Sequence, residues 1–356
     1  MKTVKPQRIE YIDALRGFTI ILVVLTHVAS ANGVEVMEKG NFHALFLQFR
    51  MPLFFFISGF LFYKKNLIWN WENSYNFLSK KFTVQIISPL IFLLCYIYIN
   101  DLSFVESITD EFKSGYWFTF TLFSYFVLYL VLNKVMNLSR INERYHSGFY
   151  IATGLFLFFF CSYAILIDRI GNGLGIAGFI RFSGMPQLRY FIFFAMGVCA
   201  KKHFGSFLNI LDHSPLLPIA IIIYFAVNIF INLQDVNVLV RKCLELSLGI
   251  SGIIILFATF RKHDSFFKSD NMIAKSLKFI GKRTLDIYLL HFFFLYPNLG
   301  VIYSHFTEND YPLYELTISL IIATVVITAC LLVGTILRVN NTMAHFLFGK
   351  KRKVTI

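Results

Sequence analysis

Arg16 and His27 lie 11 positions apart inside one apolar run. At about 100° per residue this spacing comes to about 20° past three full turns. One helix would therefore carry both on the same side, about 16.5 Å apart along its axis. An imidazole that titrates near neutral pH can act as general base toward a hydroxyl, or can carry a transferred group itself. A permanently charged, fork-shaped guanidinium suits phosphates or a developing oxyanion. Asp13, one turn before Arg16, is placed to orient it. Each residue also has a plainer use: the guanidinium can snorkel to an interface, and the imidazole can hydrogen-bond between helices. Ionisable groups inside an apolar span are costly, so the pair counts as a functional candidate.

Further candidates lie along the chain. Arg50-Met51-Pro52 opens an aromatic run that ends Phe56-Ile57-Ser58-Gly59-Phe60. A cation there could bind an anionic group or polarise a carbonyl, whereas Ser58 and Gly59 suit close helix packing. Trp117, in Gly115-Tyr116-Trp117-Phe118, reads equally well as an interfacial anchor. In Arg283-Thr284-Leu285-Asp286-Ile287-Tyr288-Leu289-Leu290-His291, Tyr288 and His291 are three residues apart and would neighbour each other on a helix. They are either a core polar pair or part of a cavity with Arg16. Gly171, Gly173, Gly175 and Gly178 superficially resemble a phosphate loop, but no strand precedes them. Cys95, Cys161, Cys199, Cys243 and Cys330 form no Cys-x-x-Cys pair, and no spacing suits a metal.

The elements that must position these residues follow from composition. Of 356 residues 57% are hydrophobic and 15% charged, against about a quarter charged in soluble domains. Disordered, disulfide-scaffold and soluble globular classes are thereby excluded. The net charge of +13 does not require nucleic acid, because a multi-pass membrane protein gathers Lys and Arg in its cytoplasmic loops. Runs near the ~20 residues that span a bilayer predict an all-α bundle of ten transmembrane helices. They lie at 12–31, 44–63, 82–99, 116–136, 149–167, 188–200, 216–233, 243–260, 285–303 and 316–337. With the N-terminus inside, 24 of the 33 basic residues fall in cytoplasmic segments and seven outside, Arg16 and Arg50 remaining within spans. Both termini are then cytoplasmic, and the stretch 261–284 reads as a basic cytoplasmic loop. Lys2, Lys5 and Arg8 before an apolar run ending Ala29-Ser30-Ala31 resemble a signal peptide, but Asp13, Arg16 and His27 make a poor signal core, so the first span is expected to be retained. The chain reads as one membrane domain, 1–356.

These motifs together resemble the membrane-bound acyltransferase type 3 family, whose bacterial members O-acylate surface polysaccharides or exported small molecules. The resemblance is carried by Arg16 and His27 within Asp13-Ala14-Leu15-Arg16-Gly17, the aromatic run ending Ser58-Gly59-Phe60, Trp117-Phe118, and Ile287-Tyr288-Leu289-Leu290-His291. It departs at Arg50, where the sugar-acetylase subgroup often has a His. The fused extracytoplasmic hydrolase-like domain that some members carry is absent from these residues, so a stand-alone enzyme is expected. The resemblance implies an O-acetyltransferase of the bacterial cytoplasmic (inner) membrane with no permanently bound cofactor. Its donor would be acyl-CoA, most often acetyl-CoA, and its acceptor a glycan or lipid-linked saccharide. On this reading His27 and Arg16 are catalytic, and Arg16, Asp13, Tyr288 and His291 hold the donor. Arg50, Trp117, Arg181 and Arg189 would contact the acceptor. The rival class is a transporter or flippase in which the same Arg and His gate or relay protons; such folds tend to show repeats and paired helix breaks, which this sequence lacks.

Overall fold

The structure is a computed structural model that describes residues 9–32, 42–65, 67–170, 183–213, 215–233, 236–295 and 312–349, the side chains of 164–170 and 312 excepted. Among the described residues the regular structure is all helical, and no strand is assigned. In chain order the α-helices are α1 (Glu10–Ala31), α2 (Phe42–Phe62), α3 (Trp71–Phe82), α4 (Ser88–Ile99), α5 (Phe104–Thr109) and α6 (Trp117–Leu138). They continue with α7 (Glu143–Ile170), α8 (Phe191–Lys202), α9 (Phe204–Leu211), α10 (Leu216–Leu233), α11 (Val238–Lys262) and α12 (Asp264–Lys268). The last four are α13 (Met272–Lys282), α14 (Thr284–Leu290), α15 (Pro312–Leu337) and α16 (Asn341–Phe348).

Among the described residues six helical stretches are long and apolar enough to cross a membrane: α1, α2, Trp71–Ile99, α6, α11 and Leu313–Leu337. Met185–Lys202 with Phe204–Leu211 makes a seventh if the two form one broken span. Leu216–Asn232 and Thr284–Phe294 are apolar but shorter. Within Trp71–Ile99 a π-helical turn, Thr83–Ile87, joins α3 to α4. Pro89 explains the widened turn: it has no N–H to return to the carbonyl four residues back. Ser88 Oγ donates instead to the Thr83 carbonyl at 3.0 Å.

Three expectations are corrected locally. The stretch 261–284 is not a loop but contains α12 and α13. Asn271 caps α13 by accepting from the Ile273 N–H at 2.8 Å, and Ala274, Leu277, Lys278 and Gly281 recur at helical spacing on its more buried side. In the ninth run the α-helix stops at Leu290 and tightens into a 3₁₀ turn, His291–Phe294; its remainder from 296 lies outside the described residues. Arg189 likewise sits in a 3₁₀ turn, Met185–Tyr190, that precedes α8 rather than inside an α-helical span.

The chain groups into two compact units, each discontinuous in sequence. The first comprises Met1–Ile57, Gly205–Tyr288 and Tyr296–Ile327. Its buried aromatic knot joins Tyr11, Phe56, Phe207 and Phe257, with Phe257 at ring distances of 5.9, 5.5 and 5.4 Å from Tyr11, Phe56 and Phe207. The second comprises Ser58–Phe204, Leu289–Leu295 and Thr328–Ile356. There Phe62 packs on Phe126, Tyr129 and Phe194 at 5.0, 4.9 and 5.6 Å. Lipid tails are as apolar as these side chains, so close packing rather than water exclusion holds spanning helices together. Small residues serve that packing in both units. A side chain at Gly17 would overlap the Leu277 carbonyl, one at Gly281 the Asp13 carbonyl, and one at Gly59 the Phe194 carbonyl.

Candidate functional site

In the first unit α1 is an almost fully buried helix. Between Tyr11 and Ala29 only Arg16, Phe18, Ile21 and His27 keep part of their surface accessible. The α-helix is continuous over both polar residues, so Arg16 and His27 do share one face, about 16.5 Å apart along the axis. The helix can stand so close to α13 because Gly17 and Gly281 let the two backbones touch, and Glu10 pairs with Lys278 Nζ at 2.6 Å. This crossing fixes where the planar guanidinium fork of Arg16 can point. Arg16 Nη2 donates to Thr284 Oγ1 at 2.8 Å, at the start of α14. Asp13, buried, lies 4.0 Å from Arg16 Nη1, at the outer limit of an ion pair. The guanidinium side chain remains 27% exposed, which leaves room for an anionic ligand.

Arg50 reaches the same helix from α2: its Nη1 lies 3.5 Å from the Val23 carbonyl, one turn before His27. The structure thus brings a second cation to the His27 end of α1. His43, which the sequence reading passed over, is fully buried on α2 seven residues before Arg50. Seven residues are two turns less about 20°, so His43 and Arg50 share a side of α2, and that spacing was the signal available. Tyr288 is buried at the end of the first unit, and nearby Arg283 Nη1 donates to Asp286 Oδ2 at 3.0 Å.

His291 belongs to the second unit, fully buried in its 3₁₀ turn. The chain on both sides of it packs against the residues just before α6. Tyr116 donates to the Leu289 carbonyl at 3.0 Å, and Gly115, at φ +96°, lies against the Phe292 ring where any side chain would collide. Trp117 and Arg189 come together around one ring: Trp117 lies 6.0 Å from Tyr190, and the Arg189 guanidinium sits 4.9 Å above it. Beside Trp117 runs a backbone stretch, Lys113-Ser114-Gly115, with three successive positive φ values. The Asp110 carboxylate holds it by accepting from the Phe112 and Ser114 N–H groups at 3.0 and 3.4 Å. Lys113 Nζ donates to the Ile108 carbonyl at 2.8 Å, and burial pulls its ammonium below the ordinary lysine value, against the opposing influence of Asp110. Arg181 lies outside the described residues.

Chemically, the first unit offers an accessible imidazole with two guanidiniums on or near its helix. The second offers an aromatic and polar rim. A family model described as an acyltransferase domain matches residues 9–338. No curated protein and no solved structure matches the chain.

Proposed function

The chain belongs to the membrane-bound acyltransferase type 3 family, and from that membership we propose that it moves an acyl group, acetyl in the simplest case, from acyl-CoA to a hydroxyl of a cell-surface glycan or lipid-linked saccharide. The observation that carries this reading is the accessible pair, Arg16 and His27, on one face of an otherwise buried helix. Arg16, steadied by Thr284 and Asp13, holds coenzyme A phosphates at one end. His27 serves the reacting end, with the extended pantetheine arm covering the distance between them.

In the transfer, the acceptor hydroxyl oxygen forms a bond to the acyl carbon and the carbon–sulfur bond breaks, its electron pair leaving with sulfur. The hydroxyl proton passes to a His27 ring nitrogen and from there to the departing thiolate. Prior transfer of the acyl group to His27 itself is the variant of this route. Arg50, close to the His27 end, is suited to the charge that develops on the carbonyl oxygen or to an anionic acceptor. Tyr288 and His291 support the donor side; Trp117, Arg189 and Arg181 receive the acceptor.

The proposed setting is the bacterial cytoplasmic membrane, with ten crossings, both termini inside and the first span retained. Its support is the division of loop charges, 24 against seven. Cysteines placed near Lys351 and Arg261 should resist impermeant reagents in intact cells, and labelling from outside would overturn the orientation. The activity is tested by thiol release from acetyl-CoA in membranes together with mass spectrometry of surface glycans with and without the protein. Unchanged glycans and no thiol release would refute it.

A further inference from the structure

In the first unit α13 has three different sides. With Met272 as origin and about 100° per residue, Phe279, Met272, Ser276, Ile280 and Ile273 fall within one arc of about 120°. On that arc Met272, Ile273 and Phe279 are 83%, 62% and 49% exposed. Leu277 and Gly281, which meet α1 at Gly17 and Asp13, fall on a second arc with the buried Ala274. Lys275 and Lys282 fall on a third. Lys278 lies between that arc and α1, where it pairs with Glu10 at 2.6 Å. Neighbouring large apolar side chains left uncovered on one side of a helix mark a contact surface.

The helix cannot itself be a span: it has 11 residues, about half of the ~20 that a crossing needs, and three of them are lysines. Its depth follows from α1, which is long and apolar enough to cross a membrane. The two backbones touch at Asp13 and Gly17, three and seven residues into α1, or about 4.5 and 10.5 Å from its start. An amphipathic helix lying in a membrane surface buries its apolar side to a similar depth, about 5–10 Å into the headgroup boundary. The charges fit the same place. Lys282 makes no ion pair among the described residues, and Lys275 pairs at 3.0 Å with the solvent-exposed Asp270. The Arg283 guanidinium lies 5.8 Å from the Phe279 ring, at the edge of the apolar side, as a cation does when its stem is in lipid and its head at the surface.

We propose that α13 is an interfacial helix whose partner is the lipid surface on the side where α1 begins. The side formed by Met272, Ile273 and Phe279 enters the boundary between headgroups and acyl chains, and Lys275 and Lys282 lie above it, level with the lipid phosphates. This seating does not depend on which group the enzyme transfers. Its consequence reaches Arg16, because α13 packs on α1 at Gly17 and leads directly into Thr284, which accepts a hydrogen bond from the guanidinium.

The test uses the full chain in vesicles of phosphatidylcholine and phosphatidylglycerol. Cys95, Cys199 and Cys243 are replaced by serine, while the buried Cys161 and Cys330 stay. A nitroxide is attached singly at Met272→Cys, Ile273→Cys, Lys275→Cys, Phe279→Cys and Lys282→Cys. Its collisions with oxygen, which concentrates among acyl chains, are compared with those with a water-soluble nickel chelate. The oxygen-to-nickel ratio should be at least threefold higher at 272, 273 and 279 than at 275 and 282. Equal ratios at all five positions would overturn the seating. So would few collisions with either reagent at the three apolar positions, the result expected if a second copy of the chain or another protein covers them. Phe279→Trp in the otherwise unaltered chain gives a reading that needs no cysteine replacement. Phospholipid brominated near the head of its acyl chain should quench the added emission at least twofold more than phospholipid brominated near the chain end. Stronger quenching from the chain end, or none from either, would also overturn it.

Discussion

In the first unit a single helix carries both candidate reactive side chains, while in the second the rim around Trp117 is assembled from segments far apart in sequence. On α1 the helical repeat alone puts Arg16 and His27 on one face, and the Gly17–Gly281 contact with α13 keeps that face in register. The rim around Trp117 combines a left-handed stretch at 113–115, a 3₁₀ turn at 185–190 and a hydrogen bond from Gln187 Nε2 to Glu111 Oε1 at 2.8 Å. The difference separates two tasks. A group that does chemistry has to stay within a fraction of an ångström, and a packed helix is the stiffer support. A group that selects among acceptors can sit on turns, which are easily changed without disturbing the bundle.

The sharpest break of this comparison is His27→Ala. Loss of a general base costs about 10²- to 10⁴-fold in rate, so thiol release and glycan acylation should fall by at least that factor, while His291→Ala in the other unit leaves a measurable remainder. Wild-type acylation by a well-inserted His27→Ala protein would refute the mechanism. Gly17→Leu should come next. It forces a side chain into the Leu277 backbone, and overpacking of this kind costs about 1–3 kcal/mol, to be read as a lowered unfolding midpoint in detergent. An unchanged midpoint would show that the α1–α13 contact is not what holds the face.

Arg16→Lys keeps the charge and loses the planar fork. Charged hydrogen bonds contribute about 1.5–3 kcal/mol, so the apparent KM for acetyl-CoA should rise roughly tenfold or more, with acceptor KM little changed. Equal donor affinity would leave Arg16 as an interfacial anchor. The smallest effect is expected of Trp117→Ala, which should raise acceptor KM severalfold and leave donor KM alone, because an indole face contributes about 1 kcal/mol beyond its contact area. A larger effect on the donor would dissolve the division of labour between the two units.

Much of this was readable along the chain because it depends on local periodicity. The run expected at 12–31 is a helix from Glu10 to Ala31, 44–63 one from Phe42 to Phe62, and 216–233 matches α10. Apolar length and the 3.6-residue repeat decide such helices whatever surrounds them. The same arithmetic put Arg16 and His27 on one face of α1, and the family match over 9–338 agrees with motifs read from four separate runs. Where polarity was mixed, the reading fell short: 261–284 was taken for a loop, although α13 buries only a narrow stripe of Ala274, Leu277 and Gly281 against α1.

What local pattern cannot contain is a partner chosen by folding. Thr284 is 268 positions from Arg16, and Gln187 is 76 from Glu111. Neither hydrogen bond leaves a trace in spacing, because its geometry is created only when separate helices pack. The α-to-3₁₀ change at His291 belongs to the same class. Sequence alone therefore determined that apolar helices make up the chain and that Arg16 and His27 share one face of α1, which follow from hydropathy and helical phase. The tertiary structure decided what steadies Arg16, what lies beside Trp117 and which residue Gln187 bonds, since those depend on distances between segments that the chain order leaves open.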